Sequence, residues 1–387
     1  MSSTESSRSR LAVALLALSA IVALIAATAL PAEAYKGQGD AVIVAAKHAK
    51  GRTLSGQGVK LLAGAGAGSQ GGKLTLPIGE LNPISQPSAH TFAALAFKRG
   101  KRSVSLTGIN FNVAKGVLSG QLGGDPTEVF WLGAAPQVNA ANGTIALGGG
   151  KLQLTAAAAD ALEDELGLKR ALVRKNVGMV WLAAQATPTH GPVQKVTAGS
   201  LDWGFLTSWR EYIYKNLGPG SVGSITTEGG ATTVGEPSKP GSYFSFPASG
   251  GSYQQGLFGA SDKLSLNTQG SVKFAKPGHC IVEIRFSNVV VTLGSASSIV
   301  GNLDYDIDKF NGSGCDPVPP VSLPNTEIAA LGSVAPTVSG NTIAWSNVPA
   351  TLAAAAATPF APTYKAGHPL DPATISVQVE PVPVAVP

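Results

Sequence analysis

The residues of this 387-residue chain best suited to chemistry lie in the run Leu201-Asp-Trp-Gly-Phe-Leu-Thr-Ser-Trp-Arg-Glu-Tyr-Ile-Tyr214. Five of the chain's 24 aromatic side chains fall within twelve positions there, in a sequence otherwise poor in them. Two readings are open: an aromatic plug for the core, or a segment in which Tyr212 or Tyr214 leaves the core and faces a flat ligand. Ser208 followed by Glu211 has the form of a capping box, which predicts a short helix over 209–217 ending at Gly218-Pro219. On a helix the two tyrosines point roughly 200° apart, so only one of them can face the ligand.

Other constellations are thinner. Cys280 and Cys315 are too few for a four-cysteine zinc site or an iron-sulfur cluster, and Met1 and Met179 leave no obvious methionine ligand. Asp304, Asp306 and Asp308 alternate, but Lys309 stands where a calcium loop needs Gly and Cys315 where it needs Glu, so they read as a solvated strand face. His48, His90, His190 and His368 form no local ligand pair. There is no nucleophile elbow, phosphate loop, zinc-protease helix or covalent haem-attachment motif, and the chain reads as non-enzymatic.

The elements that must position these residues are short and turn-bounded. The chain has 47 Gly and 26 Pro, and charged residues make up 13 %, roughly half the usual share. Arg8 and Arg10 precede an apolar run over 11–30, and Ala32-Glu33-Ala34 supplies small residues at cleavage positions, so 1–34 reads as a signal peptide. An uncleaved anchor is the alternative. Export to an oxidising compartment predicts a Cys280–Cys315 disulfide. Residues 35–195 hold 17 Lys and Arg against 8 acids, net +9, whereas 196–387 are net −4. The basic runs, Phe97-Lys-Arg-Gly-Lys-Arg102 above all, predict solvated charge or contact with anionic envelope polymers or lipids. Nucleic acid is not expected as a partner of an exported chain whose basic runs have no aromatic side chain beyond Phe97 interleaved.

β-prone segments recur at 73–77, 104–108, 117–122 and 144–147, and Thr155 and Gly167 bracket one helical pattern. The second half repeats this plan: 97–110 aligns with 274–288, and 144–162 aligns with 342–360 without a gap. The fold expected is all-β, two related antiparallel β-sandwich-like modules each with one or two short helices. The expected boundaries are 35–195 for a divergent basic module, 196–380 for the second, and 381–387 for a Pro/Val-rich tail.

The second half resembles an Htaa domain, the haem-transport-associated module of exported actinobacterial haem-binding proteins. The resemblance is carried by Trp203-Gly204, by Ser208-Trp-Arg-Glu-Tyr212 and by Gly270-Ser-Val-Lys-Phe274 leading to Gly278-His279. It continues through residues 353–360, Tyr364, Gly367 and Leu370-Asp-Pro372, and covers about residues 198–380. It implies that Tyr212 ligates haem iron and that His279, on the later hairpin, supports it. Tyrosinate is a hard donor suited to ferric iron. Trp203, Trp209 and Phe205 are then the expected apolar walls, and Arg210, Lys276 or Lys215 the expected partners of the propionates. The sequence departs from the family pattern at Trp209, Pro277 and Cys280. Lys101 aligns with His279 in the first half, where no ligation is expected.

The function implied is that of an exported, cell-envelope haem-binding or haem-transfer protein for iron acquisition, exchanging haem with donor proteins or another envelope carrier. The alternative is a non-enzymatic structural or adhesive envelope protein that keeps the fold without the ligand.

Overall fold

Strand pairing accounts for nearly all the architecture of the computed structural model, which describes residues 34–46, 53–168, 172–218, 220–278, 280–311 and 313–380. The expected signal segment lies outside the described residues apart from Ala34, and so does the tail 381–387. The chain divides into two units. The N-terminal unit holds the described residues up to Thr189 together with Gly256–Ala260, and the C-terminal unit holds His190–Gln255 and the described residues from Ser261 onward.

In the N-terminal unit eight antiparallel strands pair in the order Tyr35–Ala45, Glu80–Asn82, Ser88–Thr91, Arg102–Asn112, Val117–Leu122, Asp125–Leu132, Thr144–Leu154 and Asn176–Ala186. The last pairs back to the first over nine residues, Gly37 opposite Ala186 through Ala45 opposite Gly178. The two faces of the sandwich-like module are thus joined at both edges, which leaves the ring strands no free edge.

The C-terminal unit repeats this ring. Its order is Gln194–Trp203, Tyr243–Gln254, Lys263–Thr268, Val282–Leu293, Ser298–Ile307, Val321–Leu331, Thr342–Leu352 and Pro369–Val379, with the last again paired to the first. Outside each ring a shorter strand, Leu95–Arg99 or Ser271–Lys276, forms a hairpin with the fourth ring strand. The duplication read from the sequence is therefore a duplication of topology.

Alternation along each strand sends one face inward. Phe97, Phe111 and Phe130 are fully buried in the N-terminal core, and Phe244, Phe246, Phe274 and Phe286 are almost fully buried in the C-terminal one. Each such side chain contributes about 2–3 kcal/mol of apolar burial. Helix α1, Ala156–Leu166, begins where expected: the Thr155 hydroxyl accepts from Ala158 N–H at 3.2 Å, and Gly167 stops the helix at φ 62°. Arg99, in the basic run, donates to the carbonyls of Leu166 and Gly167, so that part of the run caps α1. In the aligned place the C-terminal unit has only two short 3-10 turns, Ala354–Ala356 and Thr358–Phe360, because Pro359 and Pro362 forbid a longer helix. Cys280 and Cys315 are disulfide-bonded.

Phe258 belongs to the N-terminal core, where it packs edge-on against Tyr35 at 4.8 Å. Gly143 makes room for it: a Cβ there would lie 2.5 Å from the Phe258 ring.

Candidate functional site

The C-terminal ring presents one helix at its rim, α2, Thr207–Tyr214. The strand Gln194–Trp203 leads into it through Gly204, where a Cβ would stand 2.5 Å from Asp371 Oδ2, and through Phe205 at φ 62°. The missing side chain of Gly204 lets the Asp371 carboxylate approach. That carboxylate then caps the helix: Oδ1 accepts from the Thr207 N–H at 3.1 Å, and the Thr207 hydroxyl donates to Oδ2 at 2.9 Å. The expected capping box is not used. Leu206 is the N-cap with no side-chain cap bond, Ser208 and Glu211 are exposed, and the helix ends at Tyr214 instead of Leu217. A carboxylate supplied by the last ring strand does what a local serine was expected to do.

Arg210 corrects a second expectation. It is fully buried and points inward, donating from Nη2 to Asp371 Oδ2 at 2.9 Å and to the Thr207 hydroxyl at 2.9 Å. Its Nη1 donates to the Pro237 carbonyl at 2.6 Å and the Ser242 hydroxyl at 2.7 Å. A guanidinium held this way cannot reach a propionate; it fastens α2 to the loop before Tyr243–Gln254. Trp203 and Phe205 are likewise core residues, 2 % and 1 % exposed, not walls for a ligand. Trp203 Nε1 donates to the Asp371 carbonyl at 2.9 Å, and Phe205 packs against Phe286, Phe360 and Phe274. They form the floor beneath α2.

Above that floor stands Trp209, nearly buried, in contact with Phe360 at 5.2 Å and Tyr212 at 5.4 Å between ring centroids. Its indole N–H is buried and has no hydrogen-bond partner among the described residues. Tyr212 is half-buried, and its ring lies across Trp209. Burial pushes the Tyr212 phenol above the usual tyrosine range. No hydrogen bond to its hydroxyl occurs among the described residues. Tyr214 differs: its hydroxyl accepts from the Ile225 N–H at 3.3 Å. The roughly 200° separation of the two side chains is thus realised, one against the strand Ser224–Glu228 and one over the aromatic bed.

Lys276, at the end of Ser271–Lys276 and an expected propionate partner, is buried instead. Its ammonium donates to the carbonyls of Ile213 at 3.1 Å, Lys215 at 2.7 Å and Ser221 at 2.9 Å. It closes the C-terminal end of α2, where a cation is favoured, and sits 5.0 Å from the Tyr212 ring centroid. Burial, and then the nearby Lys215 charge, lower its pKa. Of the three cations proposed for propionates, only Lys215 is exposed.

His279 lies outside the described residues; the flanking Gly278 and Cys280 are described, and Cys280 is tied to Cys315 across 35 positions. Residues for which the sequence suggested no part in ligand binding complete the rim. The Tyr364 and Ser208 hydroxyls are 3.0 Å apart, and the rings of Tyr364 and His368 meet at 4.9 Å. A long-range contact to α2 has no local signal. The site is therefore a half-exposed tyrosine on an aromatic floor, its helix clamped at one end by Asp371 and at the other by Lys276. In the N-terminal unit the corresponding stretch holds only a 3-10 turn, Ser55–Gln57, among the described residues.

Residues 198–376 match the family model described as Htaa. Among solved structures, the C-terminal domain of HtaA from Corynebacterium glutamicum is similar at 20 % identity and a TM-score of 0.37, over 48 % of this chain and 99 % of that one. The N-terminal domain of the same protein is similar at 23 % identity and 0.37, over 48 % and 98 %. The heme binding protein HtaB of that organism is similar at 17 % identity and 0.35, over 50 % and 98 %. No curated protein matches the chain.

Proposed function

With residues 198–376 identified as an Htaa domain, we propose that the C-terminal unit binds haem as a carried ligand, and that the chain is an exported haem-binding or haem-transfer protein serving iron acquisition. Tyr212 supplies the oxygen donor to ferric iron, and His279 supports the ligating form. The observation that carries this reading is the contrast between the two tyrosines of α2. Tyr214 has its hydroxyl committed to Ile225, whereas Tyr212 is half-buried with its ring against Trp209 and its hydroxyl makes no bond among the described residues. A phenol in that position can exchange its proton for a metal without breaking an internal hydrogen bond. Tyr364 offers a partly exposed ring beside it, and Lys215 offers an exposed cation. The ligand belongs to this chain as cargo, so no catalytic step is assigned.

The test is an absorbance titration of the protein with haemin beside Tyr212→Phe and Tyr214→Phe. The reading requires a saturable one-to-one Soret change that Tyr212→Phe removes and Tyr214→Phe retains. A parent that shows only the spectrum of free haemin leaves the family likeness as one of fold, and the structural or adhesive envelope reading then takes its place.

A further inference from the structure

The outer face of the N-terminal ring carries a strip that the fold itself does not require. Cross-strand register sets Lys73 opposite Val44, Val44 opposite Met179, and Met179 opposite Lys151, one row across four strands. In the next row Thr75 faces Val42 and Val42 faces Trp181. Met179 is 37 % and Trp181 40 % exposed, and Val42 and Val44 are half-buried. Both large side chains lie over Gly149, whose Cβ would come within 3.3 Å of Met179 Cε and 3.4 Å of Trp181 Nε1. Lys73 and Lys151 are exposed at the two ends of the row, and among the described residues neither makes an ion pair.

The C-terminal ring serves as an internal control. Gly39 and Gly199 occupy the same ring position, each with a Cβ that would fall 2.1 Å from a carbonyl of the last ring strand, Ala183 or Ser376. Counting from them, Val42 corresponds to Asp202 and Trp181 to Thr374, and each pair is in register across the same two strands. Thr75 corresponds to Ser245, whose hydroxyl donates to Asp202 at 2.6 Å. One topology thus accepts a polar, hydrogen-bonded row here, so packing does not explain the exposed apolar one.

We propose that this strip docks the N-terminal unit onto an anionic lipid bilayer. Met between flanking lysines, with Trp in the adjoining row, suits the headgroup boundary, where an aromatic ring enters the interface and ammonium groups meet anionic lipid. The charge is complementary over the unit, its residues 35–189 being net +8. The proposal is independent of haem.

The chain from Tyr35 onward keeps every strand of both rings and lacks the apolar run, so it isolates the strip. It is expected to co-sediment with vesicles of phosphatidylglycerol and phosphatidylcholine in equal parts, and not with phosphatidylcholine alone. Lys151→Gln should lower partitioning about fivefold, the equivalent of about 1 kcal/mol for one lysine at an anionic surface. Trp181→Thr, which installs the residue type of the other ring, should lower it at least as much without lowering the melting temperature. Val338→Thr, at an exposed hydrophobe of the C-terminal unit, should change nothing. Unchanged binding in both Trp181→Thr and Lys151→Gln overturns the proposal, as does equal binding to uncharged vesicles. A dimer in solution that Trp181→Thr converts to monomer while vesicle binding persists also overturns it, and assigns the strip to a second copy of the chain.

Discussion

Arg210 and Asp371, 161 positions apart in sequence, meet at 2.9 Å, with the guanidinium side chain 1 % exposed and the carboxylate 23 %. The pair joins the helix that carries Tyr212 to the strand that closes the ring. Asp371→Asn leaves Arg210 buried without its counter-charge and removes part of the α2 cap. The expected loss is about 2–3 kcal/mol, below the range for a fully buried pair because the carboxylate is partly solvated. Denaturant unfolding of the C-terminal unit measures it; a loss below the resolution of that experiment contradicts the clamp.

Haem binding by Tyr212 should strengthen with pH. Burial raises the phenol's pKa, so at neutral pH the side chain is protonated and must release its proton to bind ferric iron. Below that pKa the apparent Kd is expected to fall about tenfold for each unit of rising pH. Spectrophotometric titrations across that span, with Tyr212→Phe subtracted to remove the titration of haemin itself, read the slope. A flat profile rules out tyrosinate ligation.

Tyr253 gives the fold an alkaline weakness. It is 3 % exposed, its hydroxyl donates to Asp262 Oδ2 at 3.2 Å, and burial followed by the Asp262 charge raises its pKa far above that of a free tyrosine. The unfolded chain ionises this phenol near pH 10, where the folded chain keeps the proton, so the folded state binds more protons and stability falls as pH rises past that point. Tyr253→Phe should show a shallower loss of melting temperature between about pH 10 and 11.5. Parallel curves for the two proteins would sink this assignment.

Reducing the Cys280–Cys315 bond should cost the C-terminal unit about 3–4 kcal/mol, given the 35-residue separation it spans. Because Cys280 adjoins the turn after Ser271–Lys276, reduction is expected to weaken haem binding as well as stability. Calorimetry with and without reductant gives the first quantity and haemin titration the second. Intact affinity after reduction would separate the turn from the ligand site.

Local signals read out well, and remote ones did not. Helix α1 has its Thr155 cap and Gly167 stop inside its own sequence, and both are used as expected. α2 departs from its expected span at both ends because its caps come from Asp371 and Lys276, residues whose partnership depends on ring closure. The alignment of 144–162 with 342–360 correctly signalled a repeated module, since inward alternation leaves a mark in sequence. Closure by pairing of Tyr35–Ala45 with Asn176–Ala186 leaves none. For the same reason Trp203, Phe205 and Arg210 could be placed near the site, yet composition could not say that they lie under it.

Phe258 in the N-terminal core means that the two copies of the module are no longer separable cassettes. The polypeptide leaves the first ring at Thr189, builds the opening strands of the second, returns for Gly256–Ala260, and leaves again. A fragment ending at Thr189 would carry a complete strand ring with an unfilled hole beside Tyr35 and Gly143. A single cut near position 190 would likewise leave the plug of one piece on the other. The first ring is thus completed only by residues that the chain supplies 67 positions after it leaves that ring at Thr189.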